Sequence, residues 1–372
     1  MRSLVAKLAL AAASIAMLFV ALELGFRVAG VSVGTVQINR ATVRRSDNAR
    51  LAFELRPGGV ARAEVDYRVN SLGLRGPETT VEKPAGVRRV AVLGDSIAFG
   101  YWVSDEQGFA RQLQLMLNER AVAAPLAVAP GRGRVEVLNF GVPGYNLEQE
   151  IEALRARALA YQPDLVVVLF CLNDLQGLFS YELGLVQERT DRRRTAKGSV
   201  REWLVGHSRL FSWVEYRLTE LEARRYFVRA KNPLEGGLYA QAVSEQRRAL
   251  QGQLAVLSTI LASHGIPGLV AVMPVLGDRF ERYPYRELHS AVVETARAES
   301  LAAVDLLDCF SAYPFRDLRI DVVHPSPLGH RVAAHAVRDA LCARGWLCAG
   351  GVPAGPTCRG YRPSDFPTLR GY

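Results

Sequence analysis

The stretch AVLGDSIAFG, residues 91–100, decides the fold, because an apolar run stops at a glycine and an acid and a serine follow at once. Together with the residues before it, RRVAVLG (88–94) has the β-branched, apolar character of a short buried strand. Gly94 and Asp95 then predict a tight turn. Ser96 is therefore expected at the carboxyl end of a strand, where parallel sheets bind their ligands.

The same alternation of strand and helix continues along most of the chain. The predicted strands are 88–94, 135–141, 164–170, 268–275 and 302–308, and the predicted helices are 106–120, 147–161, 241–265, 288–300 and 327–345. Each of the first four helical segments separates two apolar runs, which is typical of parallel strands joined by helical crossovers, and the fifth closes the domain. The sequence therefore predicts an α/β fold with a parallel sheet and helices on both faces.

The N-terminal segment, residues 1–30, predicts the cellular compartment in which the protein works. Two basic residues precede an uncharged apolar run from Leu8 to Leu22, which extends to Phe26 if Glu23 lies near the far membrane interface. We expect an uncleaved membrane anchor, with a cleaved signal peptide and a buried core helix as alternatives. The basic N-terminus predicts that the remaining chain lies outside the cytoplasm, in the periplasm, or is secreted if the segment is cleaved.

Beyond this segment, changes in sequence pattern predict three parts in the 372-residue chain. An extended lead-in is expected over 31–87, the α/β domain over 88–345 and a tail over 346–372, with an aromatic, basic and helical insertion at about 178–240. A hydrophobic content of 49% excludes general disorder. The net charge of +9 is interpreted as a solvated Arg-rich surface, because no zinc-finger spacing, RNP motif or Walker loop indicates nucleic acid.

The five cysteines give no metal-ligand spacing, and neither a metal nor an organic cofactor is expected. Cys171 and Cys309 lie in or beside apolar runs and are predicted to be buried thiols. The other three lie near the C-terminus, where a bridge between Cys348 and Cys358 suits an oxidising compartment. Cys342 is an alternative to either partner of that bridge.

Polar residues follow several of the predicted strands and are expected to converge on one edge of the sheet. A serine hydroxyl becomes a nucleophile only beside a base, and that base needs an acid to orient it. His324 is the candidate base for Ser96, and Asp321, three residues earlier, can orient its imidazole. Alternatively, Ser96 only caps the start of a helix, because serine is a favoured residue at the N-cap position.

An oxyanion formed by attack of Ser96 needs preorganised hydrogen-bond donors. The candidates are the backbone N–H groups of Ser96 and Gly144 and the side-chain amide of Asn173. Other polar residues in this region are interpreted as structural: Asp95 and Asp174 as turn formers, Asn139 as a brace of the Gly144 loop, and His330 as a packing or surface residue.

Four blocks of this sequence, GDSIAFG, NFGVPG, LND and DVVH, resemble the conserved blocks of the GDSL hydrolases, also called the SGNH superfamily. They occur in the order of that family, and the resemblance covers about residues 88–345. Ile97 replaces the leucine of the name motif, and Leu172 stands where a glycine often precedes the asparagine. The resemblance implies a flavodoxin-like three-layer α/β/α sandwich with five parallel strands in the order 2-1-3-4-5.

Carried onto this chain residue by residue, the resemblance implies that Ser96 is the nucleophile. It implies that Gly144 and Asn173 complete the oxyanion hole, and that Asp321 and His324 complete the triad. The lead-in motif NSLGLRGPE and the N-terminal anchor also resemble a bacterial envelope branch of the superfamily, some members of which are linked to surface polysaccharides.

The function predicted from these observations is that of a serine esterase of the cell envelope. Its expected substrate is an O-acetyl group on carbohydrate, and its expected partners are this ester and the membrane that holds the N-terminal helix. Three alternatives remain: a lipid esterase or lipase, an O-acetyltransferase with the same triad, and a non-catalytic binding module. No nucleic-acid partner is expected.

Overall fold

The protein is seen in a computed structural model that describes residues 2–29, 41–62, 65–122, 134–174, 237–276, 280–321 and 323–347, with residues 204, 207–211, 213 and 214 of the insertion. The helices are α1 (Arg2–Val28), α2 (Ser96–Phe99), α3 (Phe109–Val122), α4 (Leu147–Ala156), α5 (Gly237–Ser263), α6 (Arg286–Ala298), α7 (Leu307–Ser311) and α8 (Pro327–Ala343). The strands are β1 (Val43–Arg45), β2 (Phe53–Leu55), β3 (Val60–Arg62), β4 (Asp66–Arg68), β5 (Arg88–Gly94), β6 (Val135–Asn139), β7 (Leu165–Phe170), β8 (Gly268–Val272) and β9 (Ala302–Asp305).

A five-stranded parallel sheet forms the centre of the domain. Its strands stand in the order β6-β5-β7-β8-β9, and every neighbouring pair is parallel. This is the predicted order 2-1-3-4-5, so the predicted fold class is confirmed. Val92 of β5 pairs with Asn139 of β6 on one side and Val167 of β7 on the other. The carboxyl ends of β5 and β6 therefore lie side by side.

Helices cover both faces of the sheet. α3 packs against α8, while α4 and α6 pack against α5, which gives one helical layer on each face. Side-chain caps fix where two of these helices begin. Asn146 accepts a hydrogen bond from the Gln149 N–H at the start of α4, and Ser326 accepts one from the Gly329 N–H at the start of α8.

The lead-in is more ordered than its sequence predicts. Residues 41–87 contain two antiparallel strand pairs, β1 with β2 and β3 with β4, where an irregular segment was expected. Leu55 and Tyr67 of these strands are buried against Phe99 and Tyr145 of the α/β domain in a second hydrophobic core. Three-residue strands give too few positions for a visible alternation of polar and apolar residues, and packing against the domain holds them in place.

α1 is long and apolar enough to cross a membrane. Its stretch Ala9–Val28 has a mean hydropathy of 2.1, and none of its most apolar residues is fully buried in the described structure. The predicted N-terminal apolar helix is therefore present. Length and composition suit both a signal anchor and a signal peptide.

The cysteines differ from their prediction at one position. Cys309 is disulfide-bonded and is not the buried thiol that its apolar surroundings indicate. An apolar run predicts only that a cysteine is buried, and burial is shared by thiols and half-cystines. Cys342 is also disulfide-bonded, and Cys171 is a buried thiol. The proposed partners Cys348 and Cys358, like the rest of the tail after 347 and most of the predicted insertion, lie outside the described residues.

Candidate active site

Ser96 lies at the start of α2, one residue after the turn that ends β5. The Asp95 carboxylate accepts a hydrogen bond from the Ile97 N–H at 2.7 Å and caps this short helix. Asp95 thus has the turn-forming role expected from the sequence. The cap leaves the Ser96 hydroxyl free to point at a partner from another part of the chain.

That partner is His324, on the segment between α7 and α8. Its Nε2 lies 3.0 Å from the Ser96 Oγ, and its Nδ1 lies 2.7 Å from the Asp321 Oδ2. The structure therefore brings together the three residues that the sequence singled out as nucleophile, base and acid, although 228 positions separate Ser96 from His324. Their spacing suits transfer of a proton from serine to imidazole.

The Asp321 carboxylate is held in its ionised form. Burial raises its pKa, but hydrogen bonds from the His324 ring and from the N–H groups of His324 and Val323 more than offset this effect. The pKa of Asp321 therefore lies below its ordinary value. An ionised carboxylate at this position favours the tautomer in which the imidazole proton is on Nδ1, which leaves Nε2 as an acceptor for the serine proton.

The loop after β6 carries Gly144 and is fixed against the end of β5. The Val142 N–H donates to the Gly94 carbonyl at 3.1 Å, which fixes the loop against the end of β5. Gly144 has φ of +86°, a conformation that favours glycine. In the described part of the chain, neither the Ser96 nor the Gly144 N–H donates to a protein acceptor, so both remain available for an oxyanion.

Asn139 braces this loop, as the sequence predicts. Its Nδ2 donates to the Ala98 carbonyl at 2.8 Å, and its Oδ1 accepts from the Gly141 N–H at 2.9 Å. A methyl group at Gly141 would lie 2.5 Å from the Phe99 nitrogen, so only glycine allows this close approach. The brace connects the Gly144 loop to the helix that begins with Ser96.

Asn173 lies in a single turn of 3₁₀-helix, Leu172–Asp174, directly after β7. Its side chain lies outside the described part of the structure, so its role in the oxyanion hole remains a prediction. Asp174 is buried, and its Oδ2 accepts a hydrogen bond from the Cys171 N–H at 2.7 Å. It therefore shapes the turn that carries Asn173, in agreement with its structural interpretation.

Two histidines outside the predicted triad are buried. His330 on α8 is fully buried, and burial together with the charges of Arg75 and His324 lowers its pKa to about 3. It is therefore a neutral packing residue and not a surface one. His289 donates or accepts at both ring nitrogens, 2.7 Å from the Asp305 Oδ1 and 2.9 Å from the Tyr283 hydroxyl. This buried network ties α6 to the end of β9.

Arg75, in the lead-in motif NSLGLRGPE, is a residue of the candidate site that the sequence did not predict. Its fully buried guanidinium donates to the carbonyls of Phe99, Gly100 and Val103, at 2.8 Å for Phe99 and 2.6 Å for Val103. Its Nε donates to the Asp105 carboxylate at 2.6 Å. Arg75 thus fixes the chain that leaves α2 and, through it, the position of Ser96.

We expect Arg75→Lys to lower kcat by about 10- to 100-fold, because a lysine cannot reach the carbonyls of Phe99 and Val103 together and the nucleophile shifts. The matched control is Arg89→Lys at the opposite end of β5, where a buried arginine also holds backbone carbonyls and an acid, Glu136. Steady-state kinetics and thermal unfolding should show that both variants lose stability but that only Arg75→Lys loses kcat. Equal kcat losses would contradict the positioning role.

Glu150 is a second residue that the sequence did not predict. It lies on α4, it is 1% exposed, and neither carboxylate oxygen has a hydrogen-bond partner in the described structure. Burial and the negative charge of Asp95 raise its pKa well above the ordinary value. The pKa of Asp174 is also raised, by burial and by the negative charges of Glu150 and Asp95. The raised pKa favours the protonated form of Glu150, whose carboxyl group lies close enough to Asp95 and Asp174 for their charges to interact.

A group whose pKa is raised on folding contributes stability that is present at low pH and lost as the pH rises. Glu150→Gln should therefore become more stable relative to the parent protein as the pH increases from 4 to 9. Thermal unfolding across this range measures the difference, and Glu148→Gln, an exposed site on the same helix, is the control. A pH-independent difference for Glu150→Gln would show that Glu150 is already ionised in the folded protein.

Comparison with known proteins gives a family match and distant structural neighbours. A family model described as GDSL-like lipase/acylhydrolase matches residues 92–332. No curated protein matches the sequence.

Three solved structures illustrate the structural neighbours. An α/β hydrolase from the metagenome of Lake Arreo, Spain, is 16% identical with a TM-score of 0.41, over 70% of this chain and 97% of that one. A lipase/acylhydrolase from Enterococcus faecalis is 18% identical with a TM-score of 0.40, over 69% and 96%. A catalytic mutant of an acetylxylan esterase from Geobacillus stearothermophilus is 16% identical with a TM-score of 0.39, over 67% and 92%. These likenesses are too distant to transfer a substrate.

Proposed function

The chain belongs to the GDSL-like lipase/acylhydrolase family, and from this premise we propose that it is a serine esterase of the cell envelope that removes O-acetyl groups from carbohydrate. Family membership makes it a hydrolase of ester bonds. The observation that carries the proposed mechanism is the hydrogen-bonded chain from Ser96 through His324 to Asp321, with distances of 3.0 and 2.7 Å.

In the proposed reaction, Ser96 Oγ attacks the ester carbonyl while His324 Nε2 takes the hydroxyl proton. The N–H groups of Ser96 and Gly144, with the side chain of Asn173, stabilise the oxyanion that forms. His324 then gives its proton to the departing alcohol, and an acyl group remains on Ser96. Water, deprotonated by the same imidazole, releases the acid and restores the serine.

The exposure of the triad supports a bulky alcohol component in the substrate. The His324 side chain is 18% exposed and that of Asp321 is 32% exposed in the described structure, so the site is open on the acid side. An open edge of this kind suits a short acyl group carried on a large glycan, because the carbohydrate can remain outside the protein.

Two observations support a location outside the cytoplasm. α1 has the length and apolar composition of a membrane span, and basic residues near its start favour a cytoplasmic N-terminus. Cys309 and Cys342 are disulfide-bonded, and disulfides persist mainly in oxidising compartments such as the periplasm.

The test is turnover by the purified full-length protein on chromogenic esters of increasing acyl length and on an acetylated glycan. Faster hydrolysis of acetyl esters than of long-chain esters, with acetate released from the glycan, is the expected result. A preference for long acyl chains would favour a lipid esterase. Acetyl transfer to an added acceptor glycan without net acetate release would favour an acetyltransferase. Lack of turnover together with lack of labelling by a fluorophosphonate would contradict the esterase proposal.

A further inference from the structure

The domain-side end of α1 carries a single acidic side chain. Glu23 is the single Asp or Glu between Ala9 and Val28. Its side chain is 15% exposed, whereas its neighbours Leu22 and Leu24 are 43% and 56% exposed. Something other than the helix itself therefore covers Glu23.

Residues of the insertion cover this carboxylate. Glu23 accepts hydrogen bonds from the Ser208 hydroxyl at 2.8 Å, the Arg209 N–H at 3.1 Å and the Leu210 N–H at 3.0 Å. The Ser208 hydroxyl oxygen in turn accepts from the Phe211 N–H at 3.0 Å. Glu23 and Ser208 together satisfy the N–H groups that begin a helical turn, and such groups need partners from outside their own helix.

Two further contacts surround this cap. Arg27 donates from Nη2 to the His207 carbonyl at 2.9 Å and from Nε to Glu23 at 2.7 Å. The rings of Phe26 and Trp213 meet edge to face, with their centroids 5.4 Å apart. The contact thus combines charge, backbone hydrogen bonds and apolar packing, and all of it comes from the last two turns of α1.

We propose that the last two turns of α1 are the docking site of residues 207–211 and 213 of the insertion, so that α1 remains part of the mature protein and holds these residues at the membrane surface. A signal peptide is removed from the protein that it exports, and it has no lasting partner there. Removal of α1 would leave the N–H groups of Arg209 and Leu210 without their acceptor. The inference goes beyond the proposed function because it depends on none of the catalytic residues.

The lead-in that follows α1 along the chain lies against the candidate active site. The Phe53 Cζ of β2 would lie 3.7 Å from a Cβ at Gly144. A retained α1 would therefore keep the domain that carries Ser96 attached at the membrane surface, which suits an ester presented there.

The experiment is cysteine crosslinking of the full-length protein in membrane vesicles. A Phe26→Cys, Trp213→Cys variant is treated with a short bis-maleimide, digested and analysed for a peptide that joins positions 26 and 213. Intact mass of the extracted protein shows in parallel whether α1 is still attached. We expect the crosslinked peptide and a chain that retains Glu23.

Two matched variants give the controls. Leu10→Cys with Trp213→Cys places the first thiol more than four turns earlier on α1 and should give no crosslink. Glu23→Ala in the Phe26→Cys, Trp213→Cys background keeps the helix apolar and should reduce the crosslinked fraction about tenfold, because charge-assisted hydrogen bonds are lost. A mature chain that begins after Val28, or crosslinking that is equal in the Leu10 pair, would overturn the proposal.

Discussion

Ser96→Ala is expected to lower kcat by about 10⁴-fold or more and to abolish labelling by a fluorophosphonate. In the proposed mechanism this hydroxyl forms the acyl-enzyme, so its removal takes away the nucleophile. His324 Nε2 is its hydrogen-bond partner across the site. Turnover of a chromogenic acetyl ester measures the loss directly.

The same substitution should leave stability nearly unchanged. Ser96 is partly exposed, and its backbone, not its side chain, forms the first turn of α2. A change of less than about 0.5 kcal/mol in the free energy of unfolding is expected. Ser263→Ala, which removes an exposed hydroxyl from α5, is the control and should retain full activity. A large loss of stability with retained turnover would show that Ser96 is a helix cap and not the nucleophile.

Asp321→Asn should also lower kcat by about 10⁴-fold. The Asp321 Oδ1 accepts two backbone N–H groups, from Val323 and His324, at 2.8 and 2.7 Å. In the asparagine variant the carbonyl oxygen must remain at this position, so the amide NH₂ replaces Oδ2 and donates to the His324 Nδ1. The imidazole proton then lies on Nε2, which can no longer accept the proton of Ser96.

The control for this prediction is Asp305→Asn, because Asp305 pairs with a buried histidine in the same way at a distance of 2.7 Å. It should lower stability but leave kcat nearly unchanged. The free energy of unfolding measured at acidic pH gives a second test. The depressed pKa of Asp321 stabilises the fold above the ordinary aspartate value of 3.8 and loses this effect as the pH falls, so Asp321→Asn should flatten that part of the curve. Equal kcat losses in the two variants would contradict the assignment.

The sheet was predictable because its strands are buried on both faces. Val166, Val167 and Val168 are at most 1% exposed, and a continuous apolar run is the sequence pattern of such a strand. The strands β1 to β4 were not predictable, because segments of three residues have no periodicity to detect. They become ordered by packing Leu55 and Tyr67 on the domain, and this packing depends on tertiary structure.

The candidate site was predictable where chemistry dictates a residue type. Serine, histidine and aspartate at strand ends have few other reasons to occur together in that order, and the structure brings Ser96, His324 and Asp321 within hydrogen-bond distance. Arg75 and Glu150 act through burial and through backbone carbonyls or unpaired oxygens, which leave no local motif. Their importance becomes visible only when the distances across the fold are known.

The buried arginine of the lead-in also decides where a soluble fragment can begin. The family match starts at residue 92 and the central sheet at Arg88, so a fragment cut at either point lacks Arg75. The carbonyls of Phe99 and Val103 would then be buried without donors, at a cost of about 1–3 kcal/mol each. A fragment that keeps Arg75 together with strands β1 to β4 begins near residue 41, between the membrane helix and the first strand.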